Sequence, residues 1–422
     1  MQIQFLDLLA PLAILAVVLE IVVSRRRGNG YYQFADSLAD VGCGLMQIIV
    51  FALLRGAGLL AYVFVYERFR IGELAPGSAL TWAVAVLGAD LGYYWFHRAL
   101  HEVGFLWALH LPHHQSEQYN LTVSLRQGSF EALFDWIFFL PLALIGLPPK
   151  LLLVGASVVI VYQFWLHTRY IGRLGPLEWV MCTPSNHRVH HGRDAKYLGR
   201  NYGATFIVWD RLFGTFQDEE EEPDYGTVQP FLSYSPLRAH LHYFGHLVRV
   251  TRRTQGLRAK LRLWFGPPGW LPPECADLAA DASPPPGEDP LRGASPATIA
   301  AVLLHFGAVA AVGLAVVAGV ESLSLPLLLL ALAYVLSGLG SWEGLARRAP
   351  AVWRLELVRH GLAAAALGWL AARELPARGV DPALAWTPGL AYGVVFLAVL
   401  LALRPGGRPP APAAELGRRA AP

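Results

Sequence analysis

The chain has 422 residues, of which 55% are hydrophobic and only 15% are charged. This composition is typical of a polytopic membrane protein and argues against a soluble globular protein of this length. The formal net charge of +3 predicts no nucleic-acid partner. The three cysteines, Cys43, Cys182 and Cys275, lie too far apart in sequence for a disulfide framework, a zinc ribbon or an iron–sulfur motif. We therefore expect an all-α, multi-pass membrane protein.

Apolar segments long enough to cross a bilayer recur along the chain. The first is interpreted as a retained helix rather than a signal peptide, because no basic residue precedes it and no small-residue cleavage site follows it. It stops at Arg25, Arg26 and Arg27, which the positive-inside rule places in the cytosol. About nine transmembrane helices result. The predicted spans cover residues 5–23, 38–66, 79–96, 129–147, 150–168, 297–319, 324–343, 355–373 and 386–404.

Residues 172–295 contain no predicted span and are expected to form a histidine-rich cap on the cytosolic side. Within this cap, residues 236–263 combine basic residues with apolar residues at helical spacing, which predicts an amphipathic helix on anionic lipid headgroups. The predicted organisation is N-terminal transmembrane helices (1–78), a catalytic domain (79–265), a Pro-rich linker (266–295), C-terminal transmembrane helices (296–404) and a cytosolic tail (405–422).

Histidines are concentrated in three short clusters. Of the fourteen in the chain, five fall within residues 97–114 and three within residues 187–191. His97 and His101 are four residues apart and therefore share one face of a helix. In each of the other two clusters an adjacent pair follows a first histidine by three residues, so the rings can converge on one point. Because imidazole is the commonest nitrogen ligand of iron, zinc and copper, we predict a metal site. The predicted ligands are the eight clustered histidines and His167, at the end of a span: His97, His101, His110, His113, His114, His167, His187, His190 and His191.

Nine imidazoles are too many for one ion with an open coordination position, whereas two ions with four or five imidazoles each fit the number. The metalloprotease motif is not present, because no histidine occupies position 105. The Glu-x-x-His pairs of carboxylate-bridged di-iron bundles are not present either. The sequence therefore predicts a dinuclear site with nitrogen ligands.

Several polar residues are candidates for catalytic or supporting roles beside these metals. Asp90 lies on one helical stripe with His97 and His101, and a carboxylate inside a span is costly unless it is paired. We expect Asp90 to orient a ligand histidine through hydrogen bonding. Further candidates for the surroundings of the second cluster are Glu102, Glu117, Asn120 and Glu131.

The remaining histidines are predicted not to bind the metals. His240, His242 and His246 belong to the amphipathic segment and are expected to be interfacial, whereas His305 and His360 stand alone and are expected to be structural. A metal transporter, which is not an enzyme, is an alternative hypothesis for the function of these histidines. Transport sites usually lie near the bilayer midplane in broken helices, whereas the clusters here are predicted at helix ends.

The three clusters have the patterns HxxxH, HxxHH and HxxHH, which resemble those of the fatty acid hydroxylase and sterol desaturase superfamily. Longer strings resemble its alkylglycerol monooxygenase branch, among them Tyr119-Asn120-Leu121 and Gln163-Phe164-Trp165-Leu166-His167-Thr168. The close likeness covers about residues 85–275, and the C-terminal spans agree in layout only. One departure is Asn186, where the branch often has a further histidine.

This resemblance implies a membrane-embedded non-haem site with two iron ions, dioxygen as the oxidant and tetrahydrobiopterin as the electron donor. It also implies hydroxylation of the ether-linked carbon of an alkylglycerol, which gives a fatty aldehyde and a glycerol derivative. A hydroxylase or desaturase acting on a sterol, fatty acid or carotenoid is the alternative, because pocket shape decides which carbon faces the metal.

The sequence contains no Gly-rich dinucleotide motif, haem-attachment motif or iron–sulfur cysteine set. We therefore expect electrons to come from an external donor, either a small diffusible reductant or another protein. The substrate is expected to be a membrane lipid. The Ala-, Leu- and Arg-rich composition favours a bacterial inner membrane over the endoplasmic reticulum, with the active site on the cytosolic side.

Overall fold

The computed structural model of the protein describes residues 2–280 and 289–406. Within these ranges every extended regular element is a helix, and β-type pairing occurs only at two isolated bridges, Met181 with Phe206 and Gly192 with Tyr225. The predicted all-α class is therefore confirmed for the described chain. The cytosolic tail predicted for residues 405–422 falls outside the described residues from 407 onward, as do residues 281–288 of the predicted linker.

The chain divides into two compact units, one formed by residues 1–232 and 238–286 and the other by residues 233–237 and 287–422. The helices up to the linker are α1 (Gln2–Arg27), α2 (Phe34–Phe69), α3 (Ala79–Glu102), α4 (Gly104–His114), α5 (Asp135–Leu144), α6 (Pro149–Gln163), α7 (Pro184–His190), α8 (Val208–Phe213), α9 (Pro236–Arg253) and α10 (Leu257–Phe265). Those after it are α11 (Pro296–Gly319), α12 (Leu325–Ala346), α13 (Pro350–Glu374) and α14 (Thr387–Ala402).

Four segments of the described chain are long and apolar enough to cross a membrane by length and composition. A shorter apolar helix is α14. The four segments are Phe34–Leu54, Pro149–Leu166, Pro296–Gly319 and Leu325–Ala346. They support an integral membrane protein, and the count of nine spans remains a prediction.

Small residues let the helices of the first unit approach closely, as is usual for helices packed in a bilayer. A Cβ atom added to Gly155 of α6 would lie 2.1 Å from the carbonyl oxygen of Ala85 in α3. One added to Gly92 of α3 would lie 2.8 Å from the ring of Phe139 in α5. These contacts hold α3, α5 and α6 together beneath the end of α3 that carries the first histidine cluster.

The amphipathic segment forms two helices, α9 and α10, and part of its apolar side is buried in protein. Leu247, Val250 and Leu263 pack with Ala108 of α4 and with Cys275. Cys275 belongs to the stretch predicted as a linker, so the described residues 266–280 pack on the first unit. The prediction that the apolar face of this segment rests on lipid is corrected for these positions, because α4 offers it a competing apolar surface.

His305 and His360 are not isolated, which corrects the expectation drawn from the sequence. In the second unit they meet Glu356 and Arg359 in a fully buried network. One guanidinium nitrogen of Arg359, Nη2, lies 2.6 Å from Glu356 Oε2, 3.1 Å from His305 Nδ1 and 3.0 Å from His360 Nε2. The guanidinium balances the carboxylate and fills the space between the imidazoles, so the network is structural.

Replacing Glu356 by glutamine is expected to destabilise the protein by about 3–5 kcal/mol, because it leaves the buried charge of Arg359 without its counter-ion. Denaturant titration of the purified protein in detergent measures the effect. The matched control is Glu374→Gln at the end of α13, where the carboxylate is 62% exposed and the change is expected to have little effect. Equal stability of the two variants would contradict a structural role for the network.

Candidate metal centre

Consecutive helices α3 and α4 carry five of the nine predicted ligands. His97 and His101 lie in the last two turns of α3, and His110, His113 and His114 lie in the last two turns of α4. Between the helices, Val103 has an extended backbone, and α4 starts at the next residue. The C-terminal turns of the two helices meet beyond this break, because the ring centroids of His97 and His110 are 4.9 Å apart and those of His101 and His114 are 4.7 Å apart.

The third cluster occupies α7, a helix of seven residues whose start is strongly specified. Thr183 is its N-cap, Pro184 is its first residue, and Asn186 completes a capping box with Thr183. The side chain of Asn186 accepts a hydrogen bond from the backbone N–H of Thr183 at 3.1 Å. The departure at Asn186 therefore has a local structural role, since it fixes the start of the helix that carries His187, His190 and His191.

The structure brings all nine histidines together in two adjacent groups. In each group, one side-chain nitrogen per residue lies within 4.8 Å of all the others. The first group is His97, His101, His110, His114 and His190, and the second is His113, His167, His187 and His191. Adjacent residues are divided between the groups, so both receive ligands from the second and third clusters.

The spacing of the ring nitrogens fits metal coordination. The Nε2 atom of His110 lies 3.1 Å from that of His97 and 3.2 Å from that of His114. In the second group, the Nε2 atom of His167 lies 3.3 Å from that of His113 and 3.1 Å from that of His187. Ligand nitrogens about 2.1 Å from one ion in tetrahedral geometry are about 3.4 Å apart.

Buried nitrogens without partners give independent support for metal binding. The Nε2 atoms of His101, His190 and His191 are buried and have no hydrogen-bond partner within the described part of the chain. A buried ring nitrogen without a partner is costly, and a metal ion would satisfy it. The donor set of neutral imidazoles suits iron, zinc or copper.

Outer hydrogen bonds fix the direction of several of these rings. A carbonyl oxygen can only accept, so the ring nitrogen facing it must carry the proton, and Nε2 is left free for a metal. The Nδ1–carbonyl pairs are His97 with Tyr202 (2.9 Å), His113 with Arg126 (2.8 Å), His167 with Gln163 (3.0 Å) and His190 with Arg200 (3.1 Å).

His110 has a carboxylate partner instead. Its Nδ1 atom lies 2.9 Å from Oε1 of Glu131, which is 14% exposed. Carboxylate–histidine–metal arrangements of this kind raise the basicity of the ligand and fix its orientation. Glu131 is one of the polar residues proposed from the sequence to surround the second cluster, and it contacts a predicted ligand directly.

An ion pair that the sequence reasoning missed positions the second cluster. Arg126 is buried; its Nε donates to the carbonyl oxygen of Pro112 at 2.7 Å, and its Nη1 donates to Asp40 at 3.1 Å. The backbone carbonyl of Arg126 also receives the Nδ1 proton of His113. A charged residue at position 40, inside a predicted span, was the available signal, because such a carboxylate requires a partner.

The structure corrects the role predicted for Asp90. Its carboxylate contacts no predicted ligand among the described residues. It accepts hydrogen bonds from the backbone N–H groups of Thr205 and Phe206, at 2.8 and 3.2 Å, and from the indole of Trp209 at 2.8 Å. Asp90 therefore fixes the 205–209 segment, because these three donors satisfy a fully buried carboxylate.

The other polar candidates have partners of their own. Glu102 pairs with Arg98 at 2.8 Å and its side chain is half exposed. Glu117 is 3.9 Å from Arg193 and 44% exposed. Asn120 is buried, accepts from the N–H of Thr122 and donates to a backbone carbonyl of the α1–α2 connection. Catalytic roles for these residues remain predictions.

Burial keeps the histidines neutral. Loss of water lowers the pKa of His110 to about 3 and holds the pKa values of His114, His187, His190 and His191 well below the usual range, with neighbouring imidazoles adding to the effect. Metal ions bind neutral imidazole, so the folded chain presents its predicted ligands in the form that binds metal.

We expect metal-free protein, prepared with a chelator, to lose stability as the pH falls below about 6.5. In that range the histidines of the unfolded chain take up protons and those of the folded chain do not. The free energy of unfolding therefore decreases as the pH is lowered, until the pH reaches the lowered pKa values of the folded chain. Thermal unfolding between pH 8 and pH 4.5 measures this. An unfolding temperature that does not change with pH would show that the histidines are not buried in the neutral form.

A cavity of about 700 Å³ adjoins the second group of histidines. Its wall is mostly apolar and comes from α1, α2, α3, α5 and α6, and His167 and Glu131 also line it. This volume lies within the usual range for small-molecule sites. The nine histidines and this cavity form a candidate metal centre beside an apolar cavity in a helical protein with membrane-spanning character.

Comparison with known proteins shows which proteins the chain is similar to. Residues 82–215 match the fatty acid hydroxylase family. The chain is 39% identical to the alkylglycerol monooxygenase of Xenopus tropicalis over 256 residues, which is 61% of this chain and 57% of that protein. It is 39% identical to the alkylglycerol monooxygenase of Homo sapiens over 263 residues, 62% of this chain and 59% of that protein.

A more distant match is an ornithine lipid hydroxylase of Rhizobium tropici, 34% identical over 132 residues, 31% of this chain and 40% of that protein. No solved structure matches the chain. The family match over residues 82–215 and the similarity to these alkylglycerol monooxygenases confirm the resemblance predicted from the sequence. The matched region spans less than two thirds of the length of these curated relatives.

Proposed function

We propose that this protein is a membrane monooxygenase that hydroxylates a lipid C–H bond with dioxygen, at the ether-linked carbon of an alkylglycerol. The observation that carries the proposal is the convergence of nine neutral histidines, eight of them buried and His101 partly buried, in two groups beside an apolar cavity. The alkylglycerol monooxygenase relatives support the choice of substrate.

The histidines would hold two iron ions, one in each group, and the bound ions would supply the activation of dioxygen. The remaining work falls to the chain itself. Glu131 and the backbone carbonyls orient the ligand rings, and the apolar wall of the cavity holds an alkyl chain and excludes water. A hydroxyl group placed on the carbon next to the ether oxygen makes a hemiacetal, which separates into a fatty aldehyde and a glycerol derivative.

One oxygen atom enters the lipid and the other leaves as water, so each turnover requires two electrons and two protons from an external donor. We propose tetrahydrobiopterin as this donor, on the basis of the family relationship. We further propose about nine transmembrane helices, with the histidine-bearing cap on the cytosolic face of a bacterial inner membrane, or of the endoplasmic reticulum in a eukaryotic host.

The test uses recombinant membranes supplied with 1-O-hexadecylglycerol, tetrahydrobiopterin and ¹⁸O₂. We expect hexadecanal that carries ¹⁸O, and none in the absence of oxygen or from a His190→Ala variant. Unchanged alkylglycerol would reject the proposed substrate. If lipid profiling then showed a sterol, fatty acid or carotenoid gaining oxygen or unsaturation, the alternative substrate class would replace it.

A further inference from the structure

The polar side chains that line the cavity are mostly engaged with protein partners. Glu131 holds His110, the hydroxyl of Ser129 lies 2.7 Å from a ring nitrogen of His240, and the amide of Gln163 donates to a carbonyl of its own helix. These groups have little hydrogen-bonding capacity left for a ligand.

Asp135 differs from these residues. It is the first residue of α5, it lines the cavity, and it is partly buried. Its carboxylate accepts a hydrogen bond from the backbone N–H of Trp136, and the described residues give it no ion pair with an arginine, lysine or histidine. An ionised carboxylate has about four acceptor positions, so Asp135 retains capacity for a ligand that donates hydrogen bonds.

Burying such a carboxylate in an apolar cavity is costly unless a donor reaches it. The helix start offsets part of the cost, because negative charge is favoured there. The remaining acceptor positions point to a ligand that donates hydrogen bonds. A lipid hydroxyl is a donor of the right kind, and it brings no charge into the apolar space.

The position of Asp135 relates this acceptor to the metal centre. It follows Glu131 by four residues, and the two carboxyl groups are close enough to interact electrostatically. Glu131 in turn contacts His110, and His167 lines the same cavity. A lipid head group whose hydroxyl binds Asp135 would therefore lie near the ligand histidines, with the ether-linked carbon of the same lipid beside it.

The apolar wall of the cavity suits an alkyl chain. Ile48, Phe51 and Ile160 line it, and these side chains are 39, 48 and 63% exposed on segments long enough to span a membrane. In a bilayer, such exposed apolar surface meets lipid tails.

We propose that Asp135 forms the polar-head subsite of this cavity and accepts a hydrogen bond from a free hydroxyl of the lipid substrate, while the alkyl chain lies along the apolar wall. The subsite makes the protein selective for lipids with a free hydroxyl next to the ether. This inference rests on the proposed function for its substrate class.

The experiment compares two lipids, 1-O-hexadecylglycerol and its 2,3-di-O-methyl ether, which share the chain and the ether but differ in hydroxyl donors. Binding of each tritiated lipid is measured with metal-loaded protein in nanodiscs, without oxygen or reductant, and empty nanodiscs are subtracted. The wild-type protein is expected to bind the diol about 10- to 100-fold more tightly, as for hydrogen bonds to a charged group.

Asp135→Leu is expected to remove this preference and leave binding of the dimethyl ether unchanged. Asp135→Asn keeps one acceptor oxygen and is expected to retain part of the preference, which separates the subsite from a folding defect. The matched control is Ile160→Ala, which should weaken both lipids by the same factor because both share the chain. Metal content should remain at the wild-type value in all three variants.

Equal binding of the two lipids by the wild type, or a full preference in Asp135→Leu, would overturn the subsite. Aldehyde formation is measured separately on the same preparations. Wild-type protein that makes no aldehyde but shows a preference dependent on Asp135 would refute the proposed activity and leave the subsite standing. Aldehyde formation by a protein whose preference for the diol does not depend on Asp135 would support the proposed activity and refute the subsite.

Discussion

Alanine in place of His190 is expected to lower oxygenase activity by more than about 100-fold and to reduce the metal content from two ions per chain to one or fewer. His190 belongs to the first histidine group, and its Nε2 atom has no other partner in the described chain. Loss of a ligand affects a metal site more than loss of a hydrogen bond to that ligand, which by itself lowers metal affinity or activity by about 10- to 100-fold. Metal analysis of purified protein and an aldehyde assay on the same sample measure both effects.

The same change at His187 should remove metal from the second group, which shows that the two groups hold separate ions. The matched control is His246→Ala in α9, a partly exposed histidine that stacks on Tyr243 and belongs to neither group. Full metal content in both ligand variants would refute the metal centre. Loss of metal and activity in His246→Ala would show that the effect of histidine removal is not specific.

Sequence spacing was sufficient to propose the nine ligands but not their division between two groups. His113 and His114 are neighbours on α4, and so are His190 and His191 at the end of α7, yet each pair is split. Successive residues of a helix point about 100° apart, so neighbouring rings diverge. Which ion each ring faces depends on the mutual orientation of α3, α4 and α7, and no local pattern encodes that orientation.

Asp90 shows where stripe arguments fail. It shares a helical stripe with His97, as predicted, but the backbone of the cap segment reaches both residues. Tyr202 supplies the carbonyl that holds His97, and Thr205, three residues later, donates to Asp90. The contact to Asp90 joins residues 115 positions apart. Asp90 can therefore act on His97 only through this segment. The periodicity of a single helix cannot predict a contact between residues so far apart in sequence.

The C-terminal histidines show the same limit in another form. His305 lies on α11 and His360 on α13, so nothing local connects them. The acid and the arginine that join them, Glu356 and Arg359, stand one turn apart on α13, inside the span predicted for residues 355–373. Charged residues in such a helix require partners, and that requirement was the available signal.

Alanine in place of Glu131 is expected to weaken metal binding at the first group, and with it activity, by about 10- to 100-fold. The carboxylate contacts Nδ1 of His110, and its loss frees the ring to rotate and leaves a buried N–H without an acceptor. Glu131→Gln retains a carbonyl oxygen that can accept this hydrogen bond and should recover part of the loss.

The matched control is Glu220→Ala, a change at a 60% exposed carboxylate paired with Lys196, which should leave metal affinity and activity unchanged. Competition with a calibrated chelator gives the metal affinity, and the aldehyde assay gives the activity. Thermal unfolding of both variants separates a structural role, so recovery of metal affinity in Glu131→Gln between preparations of equal stability identifies Glu131 as the residue that positions His110. Wild-type metal affinity in Glu131→Ala would instead show that the backbone carbonyl contacts of the other rings are sufficient to organise the site.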